Sequence, residues 1–347
     1  MAFEDVSLRA DGSERSGWKE ITVTAAVKDA ARSFTLSVTE PGPPGSEPFI
    51  YEPGAEVEVL ASGDLLLTGY VSTYSPKGSA QDHSISVTGK GKGIDFVQCS
   101  ASHPTGRIEQ KDLLEIANEL NEFGVSIKCD ESLDKEPAIQ IPQGDTPFNI
   151  VSKLCQRHRL VMMGEADGSI KLTRAGTDRH AGELVQGFSN ILSFGSTISD
   201  DNRHSEYVVK GQVSIGTDDD AISPEGKSED SGVTRYRPKI IVPPGSVDKK
   251  RAQEIADWER DRAAGEGRKA TLSVSGWRDA NGVLWEPSWL VSCVFPWLRI
   301  DQDMLIERVT FKQGANGTTT DMALVDPRAY GGKSQGNKSA ASWSMPE

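Results

Sequence analysis

The sequence predicts an α+β protein that is mainly β, in which one small β domain is used twice. Three observations lead to this prediction. Short stretches of alternating apolar and polar residues fill both ends of the 347-residue chain, and helical periodicity is confined to a few segments between them. Two distant stretches also follow the same order of strands and turns. The 34 glycines and 18 prolines fit a chain with many turns.

The first β region extends from Ile21 to about Gln98. Its apolar residues alternate with polar ones, as in strands with one buried face. The residues that share the buried face are Ile21, Val23, Ala25 and Val27, then Phe34, Leu36 and Val38, and then Val57, Val59, Ile85 and Val87. An antiparallel set of about six strands of this length predicts a small barrel or sandwich.

A compact α+β module follows. One helix is predicted after Asp112, because Glu115 stands three residues on as in a capping box, and a second after Thr146, because Pro147 suits the first turn. Two strands joined by a turn at Asp167-Gly168 are predicted next, from Leu160 to Gly164 and from Ile170 to Arg174.

The next segment combines a strand, a charged loop and a helix. The run from Tyr207 to Val213 predicts a strand, taken as the first strand of the second β domain. Residues 216–233 carry six carboxylates and only Lys227, which predicts a mobile acidic loop. A helix is predicted from Asp248 to about Glu266. The helix therefore interrupts a β domain that resumes at Lys269.

The predicted second β domain repeats the first about 236 residues further along the chain. The matched positions are Leu36 with Leu272, Tyr51 with Trp285, Val71 with Val309, and Val87 with Leu324. The predicted divisions are a first β-barrel domain at 1–98, a small α+β domain at 99–180, a second β-barrel domain at 190–215 and 267–330, an inserted acidic loop and helix at 216–266, and a flexible tail at 331–347.

Composition excludes several classes of function. The chain has 38 basic and 51 acidic residues, a net charge of −13, which disfavours a general nucleic-acid binder. The amino terminus lacks the basic and apolar pattern of a secretory signal, and the apolar run from Trp289 to Leu298 is too short for a membrane span, so no membrane anchor is expected. The scattered Cys99, Cys129, Cys155 and Cys293 are expected to be reduced packing residues.

No motif for catalysis or ligand binding withstands comparison with the spacing that its chemistry requires. The run Gly89-Lys90-Gly91-Lys92-Gly93 lacks the spacing of a phosphate loop, and the five histidines include no HExxH pair. The cluster from Asp218 to Asp220 fits a solvated loop better than a rigid pair of catalytic carboxylates. We therefore expect no enzyme activity, no cofactor, and no catalytic, cofactor-binding or metal-ligating residues.

Four tryptophans crowd one region and leave one alternative open. Trp277, Trp285, Trp289 and Trp297 are interpreted as packing residues on strands, in a core or at a subunit interface. Together with the many carboxylates they also permit a carbohydrate-active or peptidoglycan-degrading enzyme. A stable trimer without glycan turnover would favour a structural role over this alternative.

A set of short segments follows a characteristic order and spacing over nearly the whole chain. They are Leu67-Thr68-Gly69-Tyr70-Val71, Ile85 to Gly91 leading to Asp95 to Ala101, Gly144-Asp145-Thr146-Pro147-Phe148, Tyr236-Arg237-Pro238, Trp258-Glu259-Arg260, and Gly276 to Gly282. In these segments the sequence resembles the Mu-type baseplate hub family of contractile phage tails. Lys90 departs from the arginine expected in relatives and keeps its charge.

This resemblance implies a structural role. It implies two tube-type β-barrel domains per chain and a homotrimeric ring of pseudo-sixfold symmetry, which adapts a hexameric tail tube to a trimeric central spike. The implied partners are the chain itself, the tail tube protein, the spike protein and the baseplate wedge proteins, and DNA passes through the bore without specific binding. The implied location is the tail baseplate of the virion, with assembly in the host cytoplasm. Residues 1–98 hold fourteen acidic and eight basic residues, so we also hypothesise that some of these carboxylates face the bore, where repulsion keeps passing DNA from sticking.

Overall fold

The computed structural model describes residues 3–10, 12–39, 50–79, 83–187, 190–211, 224–243 and 247–331. Strands far outnumber helices in these ranges, which confirms the predicted mainly β character. Apart from Gly331, the tail predicted at 331–347 lies outside the described residues. So do residues 216–223 of the predicted acidic loop.

Seven strands precede the first helix. They are β1 (Val6–Ala10), β2 (Ser13–Arg15), β3 (Glu20–Ala26), β4 (Ser33–Thr39), β5 (Glu56–Ala61), β6 (Asp64–Gly78) and β7 (His83–Gly91). The sequence predicted about six strands from Ile21 onward and so missed β1 and β2. The first of these buries Val6, Leu8 and Ala10 on alternate positions.

The two helices and the hairpin predicted for the α+β module form, together with one helix and three strands that the sequence did not predict. Its elements are α1 (Ile94–Gln98), β8 (Arg107–Lys111), α2 (Leu113–Glu119), β9 (Ile127–Cys129), β10 (Glu136–Gln140), α3 (Pro147–Arg157), β11 (Val161–Gly164) and β12 (Ile170–Thr173). Asp112 and Glu115 form the predicted capping box at the start of α2. The Thr146 side chain accepts a hydrogen bond from the Asn149 N–H and caps α3.

The remaining elements complete the fold. They are β13 (Arg179–Val185), β14 (Ile191–Ile198), β15 (Glu206–Lys210), β16 (Glu225–Glu229), β17 (Pro238–Ile241), α4 (Lys249–Glu266), β18 (Arg268–Ser275), β19 (Leu290–Phe295), β20 (Ile300–Gly314), β21 (Gly317–Val325), and 3-10 helices at Pro296–Leu298 and Pro327–Tyr330. The start of α4 confirms the sequence prediction, since the Asp248 side chain accepts a hydrogen bond from the Arg251 N–H.

One open sheet replaces the two separate barrels that the sequence predicted. Thirteen strands belong to it, and its main path is β14-β18-β21-β20-β3-β4-β7-β6-β5-β1-β2, with β19 on a second part of β20 and β13 beside β19. The strands that the structure describes close no barrel. The reason is that β3 uses its second edge to pair with β20 of the other half of the chain.

The strand at Tyr207 does not open the second β domain. It is β15, the middle strand of a small separate sheet with the order β16-β15-β17, covered by α4. The places beside β18 and β19 in the large sheet are taken by β14 and β13, which come earlier in the chain. The sequence prediction failed because an isolated strand pattern carries no information on which sheet it joins.

Part of the predicted acidic loop is a strand. In β16 the residues alternate between exposed charged side chains and buried Gly226 and Ser228. The α4 backbone lies so close that a Cβ atom at Gly226 would come within 2.2 Å of the Ala252 carbonyl carbon. The inward positions must therefore be small, so the apolar alternation that usually marks a strand is missing.

The protein has two main cores. The larger core fills the space between the two layers of the large sheet and includes Phe34, Leu36, Trp277, Trp285 and Phe311. The second core lies inside the α+β module. Residues from both ends of the chain therefore pack in one shared core.

Candidate assembly surface

The same order of strands occurs twice in the large sheet. In the N-terminal copy the order is β1-β5-β6-β7-β4-β3, and in the C-terminal copy it is β13-β19-β20-β21-β18-β14. A β-bulge interrupts β6 between Val71 and Thr73, and another interrupts β20 between Ile306 and Arg308. One pairing differs, because β1 is antiparallel to β5 whereas β13 is parallel to β19. The strand topology is thus duplicated, as the sequence comparison predicted.

The strand registers show where that comparison was correct and where it was not. Leu36 lies opposite Val87, and Leu272 lies opposite Met322, so the two leucines occupy equivalent positions. Val87 therefore corresponds to Met322 and not to Leu324, the residue matched from sequence. A shift of two residues leaves every side chain on the same face, so alternation alone could not detect it. The equivalent bulges likewise make Val71 correspond to Ile306 and not to Val309.

The two copies are joined edge to edge within the chain. Residues 21–26 of β3 pair antiparallel with residues 308–313 of β20. At this junction the Thr24 and Thr310 hydroxyl oxygens lie 3.4 Å apart. The junction makes eight strands continuous across both copies, from β14 to β6.

The strands equivalent to β3 and β20 are β14 and β6, and each lacks a strand neighbour along at least part of one edge in the described part of the chain. The equivalent of β3 is β14, which pairs only with β18 in the described part of the chain. The equivalent of β20 is β6, which beyond its bulge has a strand neighbour only in β7 among the described strands. Pro76 lies in this part of β6, and proline within a strand is typical of a sheet edge. Pro76 was the sequence signal that could have revealed the edge.

Apolar side chains are exposed beside the open edge of β14. Leu192 is 54% exposed, Ile198 is 42% exposed, and Trp297 is 77% exposed. The Trp297 ring lies edge-on to Phe194, with 5.9 Å between ring centroids. Exposed aromatic and aliphatic groups next to an open sheet edge are characteristic of a surface that another protein chain covers.

A buried arginine holds the two copies and the α+β module together. Arg32 Nη2 lies 2.7 Å from Glu286 Oε2, and the Arg32 side chain is 3% exposed. Its Nε donates to the Gly164 carbonyl and its Nη1 to the Leu66 carbonyl, both at 3.1 Å. Arg32 therefore fixes the relative positions of three parts of the chain through one guanidinium group.

A second arginine connects the same two copies near their surface. Arg278 Nε donates to Glu4 Oε1 at 2.8 Å, and its Nη1 donates to Asp64 Oδ2 at 2.6 Å. Hydrogen bonds to Glu4 are the main cause that raises the pKa of Arg278. Burial acts to raise the pKa of Glu4, but hydrogen bonds from Arg278 and Ser62 outweigh it, so that pKa is lowered.

His180 is buried beside the Asp279 carboxylate and has a role in packing. His180 Nδ1 lies 3.1 Å from Asp279 Oδ2, and its Nε2 accepts a hydrogen bond from the Glu286 N–H. The rings of Trp285 and Trp289 lie 4.7 and 4.6 Å from it between centroids. Burial lowers the pKa of His180, so the ring is neutral at pH 7. Because His180 is only 1% exposed, a substrate has no access to the pair.

The glycine run from Gly89 to Gly93 was compared above with a phosphate loop. In the structure these glycines have a packing role. A Cβ atom at Gly89 would lie 2.3 Å from the Phe34 ring, and one at Gly93 would lie 2.2 Å from the Ala30 carbonyl oxygen. These glycines permit close approach of the first β copy to neighbouring backbone. The described residues contain no cluster of three or more potential metal ligands.

The tryptophans divide between the core and the surface. Trp277 and Trp285 are buried in the larger core, whereas Trp297 is exposed beside β14. The interpretation that all four lie on strands was wrong, because Trp277, Trp285 and Trp289 lie in the connection between β18 and β19. That connection folds back into the core, so Trp277 and Trp285 are as buried as residues of a strand, whereas Trp289 is half-buried.

In the described part of the chain, no helix combines the length and apolar character that crossing a membrane requires. The four cysteines are free thiols. Cys99 is exposed, Cys129 is half-buried, and Cys155 and Cys293 are buried.

Comparison with known proteins gives consistent matches over most of the chain. Three family models match: the N-terminal domain of Mu phage baseplate assembly protein GpP-like proteins at residues 5–91, the second domain of baseplate hub protein gp44-like proteins at 94–174, and the fourth domain of Mu phage baseplate assembly protein GpP at 248–332. Baseplate hub protein gp44 of Escherichia phage Mu is 31% identical over 300 residues, which cover 83% of this chain and 78% of that protein.

Solved structures of tail proteins are also similar to this chain over most of its length. The 43 kDa tail protein of prophage MuSo2 from Shewanella oneidensis matches with a TM-score of 0.82 and 27% identity over 94% of this chain and 99% of that chain. A tail protein from Neisseria meningitidis MC58 shares the fold, with a TM-score of 0.79 and 21% identity over 95% of this chain and 99% of that chain. The relatives are structural components of phage tails. The chain therefore belongs to the Mu-type phage baseplate hub family and is a component of a phage tail baseplate.

Proposed function

We propose that this baseplate hub protein forms a homotrimeric ring with pseudo-sixfold symmetry. The ring joins a hexameric tail tube to a trimeric central spike, contacts the baseplate wedge proteins, and lets DNA pass through its bore during ejection. It assembles in the host cytoplasm and stays in the virion. The role is mechanical, without catalysis or a cofactor.

The observation that carries the proposal is the pair of open edges. Within one chain, β3 of the N-terminal copy pairs with β20 of the C-terminal copy. The equivalent strands β14 and β6 have no such partner among the described strands, and they lie at opposite ends of the eight-strand sheet. If β14 of one chain pairs with β6 of the next, every junction in the ring becomes equivalent and neither of these two edges remains open.

The junction inside the chain supplies the register for the junction between chains. Thr24 lies opposite Thr310 at the internal junction. Aligning the strands by their registers and bulges places Thr197 at the position of Thr24 and Ser75 at that of Thr310. Thr197 of one chain therefore faces Ser75 of its neighbour, and the apolar groups around β14 become covered.

Two copies per chain reconcile the two symmetries. Three chains present six similar β units to a hexameric tube while the ring keeps a true threefold axis for a trimeric spike. The α+β module and the α4 sheet occur once per chain, so they can mark only threefold positions.

A charge at the open edge tests the proposal. Ile198→Lys places a lysine on β14, where the pairing between chains would bury it, and should convert the trimer to monomers. Val283→Lys is the matched control, because Val283 is 43% exposed and Ile198 is 42% exposed, yet Val283 lies in a loop away from the edge. Light scattering gives the mass. A wild-type chain that stays monomeric at every concentration, including with spike and tube proteins present, would contradict the proposal.

A further inference from the structure

One face of the eight-strand sheet carries hydroxyl side chains across both copies. Serine or threonine occupies most of the positions that alternate with the core residues of β6 beyond its bulge, β7, β4, β3, β20, β21, β18 and β14. We call this surface the hydroxyl face. Representative residues are Thr22, Thr35, Thr88, Thr271, Ser273 and Thr310.

The hydroxyl face lies opposite the core. Thr35 is exposed between buried Phe34 and Leu36, and Thr271 is exposed between buried Ala270 and Leu272. The core face is covered by a second layer that includes β1, β5 and β19. The middle of the hydroxyl face has no covering layer in the described part of the chain.

The hydroxyl face carries few charges, and they do not follow the charge of the whole chain. Lys77, Lys90, Lys269 and Arg308 occupy alternate positions on it, whereas Glu20 lies at its margin. Lys312 and Asp321 neutralise each other at 2.6 Å. The surface therefore carries a basic excess, with four lysine and arginine side chains against Glu20, in a chain whose net charge is −13.

We infer that the hydroxyl face lines the bore and is the surface along which duplex DNA slides, an inference that rests on the proposed ring. Pairing of β14 with β6 makes the eight-strand sheets of three chains one closed wall. At a strand spacing of about 4.8 Å, such a wall is at least about 37 Å across, wide enough for a DNA duplex. The face that carries the second layer needs the larger radius, so the uncovered hydroxyl face points inward.

The chemistry of the hydroxyl face suits a polyanion that must pass without stopping. Hydroxyl groups exchange hydrogen bonds with phosphate oxygens and water, but they lack the concentrated positive charge that supplies most nucleic-acid affinity. Glu14 and Glu58 lie on β2 and β5, strands outside the eight-strand wall. This assignment therefore replaces the sequence-based hypothesis of a bore lined by carboxylates.

Site-specific photocrosslinking in whole tails tests which surface meets DNA. A benzophenone amino acid is placed at Thr35 or Thr271 on the hydroxyl face, or at Glu58 as the control, and particles are irradiated during ejection. Adducts between hub and DNA are expected at Thr35 and Thr271 and not at Glu58. Adducts at Glu58 with none at either threonine would overturn the assignment.

A charge variant gives a second readout. Thr35→Lys puts at least three added positive charges around the bore and should slow ejection about tenfold at low salt, with the effect relieved at high salt. Thr35→Ser keeps the hydroxyl and should eject at the wild-type rate. Unchanged ejection in Thr35→Lys would count against the inference. Electron images of each variant hub separate the two failures: an intact ring with wild-type ejection refutes the bore assignment, and the lack of a ring in the wild type refutes the proposed function.

Discussion

Removal of the Arg32 side chain should destabilise the whole protein. Arg32→Ala leaves the Gly164 and Leu66 carbonyls without their donor and leaves Glu286 beside the core without its counter-ion. Each buried acceptor left unsatisfied costs about 1–3 kcal/mol, and breaking a buried ion pair by removing one partner costs about 3–5 kcal/mol. These costs overlap because they concern one side chain, so we expect a loss of about 3–5 kcal/mol in the free energy of unfolding.

The assay is urea unfolding at fixed protein concentration, with fluorescence of the core tryptophans as the signal. Arg9→Ala is the control, because Arg9 forms two ion pairs at the surface and is 46% exposed, so its removal should cost far less than removal of Arg32. In the Arg32→Ala background, Glu286→Gln should lower the free energy of unfolding by less than it does in the wild-type protein, because the two side chains interact. If Arg32→Ala is no less stable than Arg9→Ala, the role assigned to Arg32 is wrong.

Three further predictions concern buried groups. Because burial lowers the pKa of His180 below its ordinary 6.5, the unfolded chain binds the proton more readily, so stability should fall as pH drops below about 6.5; thermal unfolding at pH 7.5 and 5 should show a smaller difference in His180→Gln. Gly226→Ala should lower the stability of the α4 sheet by about 1–3 kcal/mol, because the new methyl group meets the α4 backbone, and a variant as resistant to proteolysis as the wild type would contradict this. Burial raises the pKa of Cys155 to about 12, so a thiol reagent at pH 8 should modify exposed Cys99 in the folded protein and Cys155 only after unfolding, as mass spectrometry can show.

Local signals in the sequence predicted the local structure well. The start of α2 followed from Asp112 and Glu115, and that of α3 from Thr146 and Pro147, because capping depends only on neighbours in the chain. The turn before Ser169 was equally clear. Such elements are determined by residues that are neighbours in the sequence, and their predicted bounds agree with the structure.

Pairing between distant strands could not be predicted in the same way. The attachment of β3 to β20 joins residues about 290 positions apart, and nothing in either strand's alternation specifies its partner. For the same reason β15 was placed in the wrong sheet. The strand β16 was missed because its inward residues, Gly226 and Ser228, are small and not apolar. Pro76 could have indicated the open edge of β6, but nothing in the sequence of β14 marks the matching edge, which follows from the duplicated topology.

A designed disulfide measures ring closure most directly. Ser75→Cys with Thr197→Cys places two thiols where the proposed junction brings neighbouring chains together, while Thr24→Cys with Thr310→Cys repeats the design at the junction observed within one chain. Cys99→Ser in both proteins removes the exposed native thiol. After mild oxidation, the first protein should run as a covalent trimer without reductant and the second as a monomer that holds an internal bond. A first protein that remains monomeric while the second oxidises fully would contradict the account of how the hub closes.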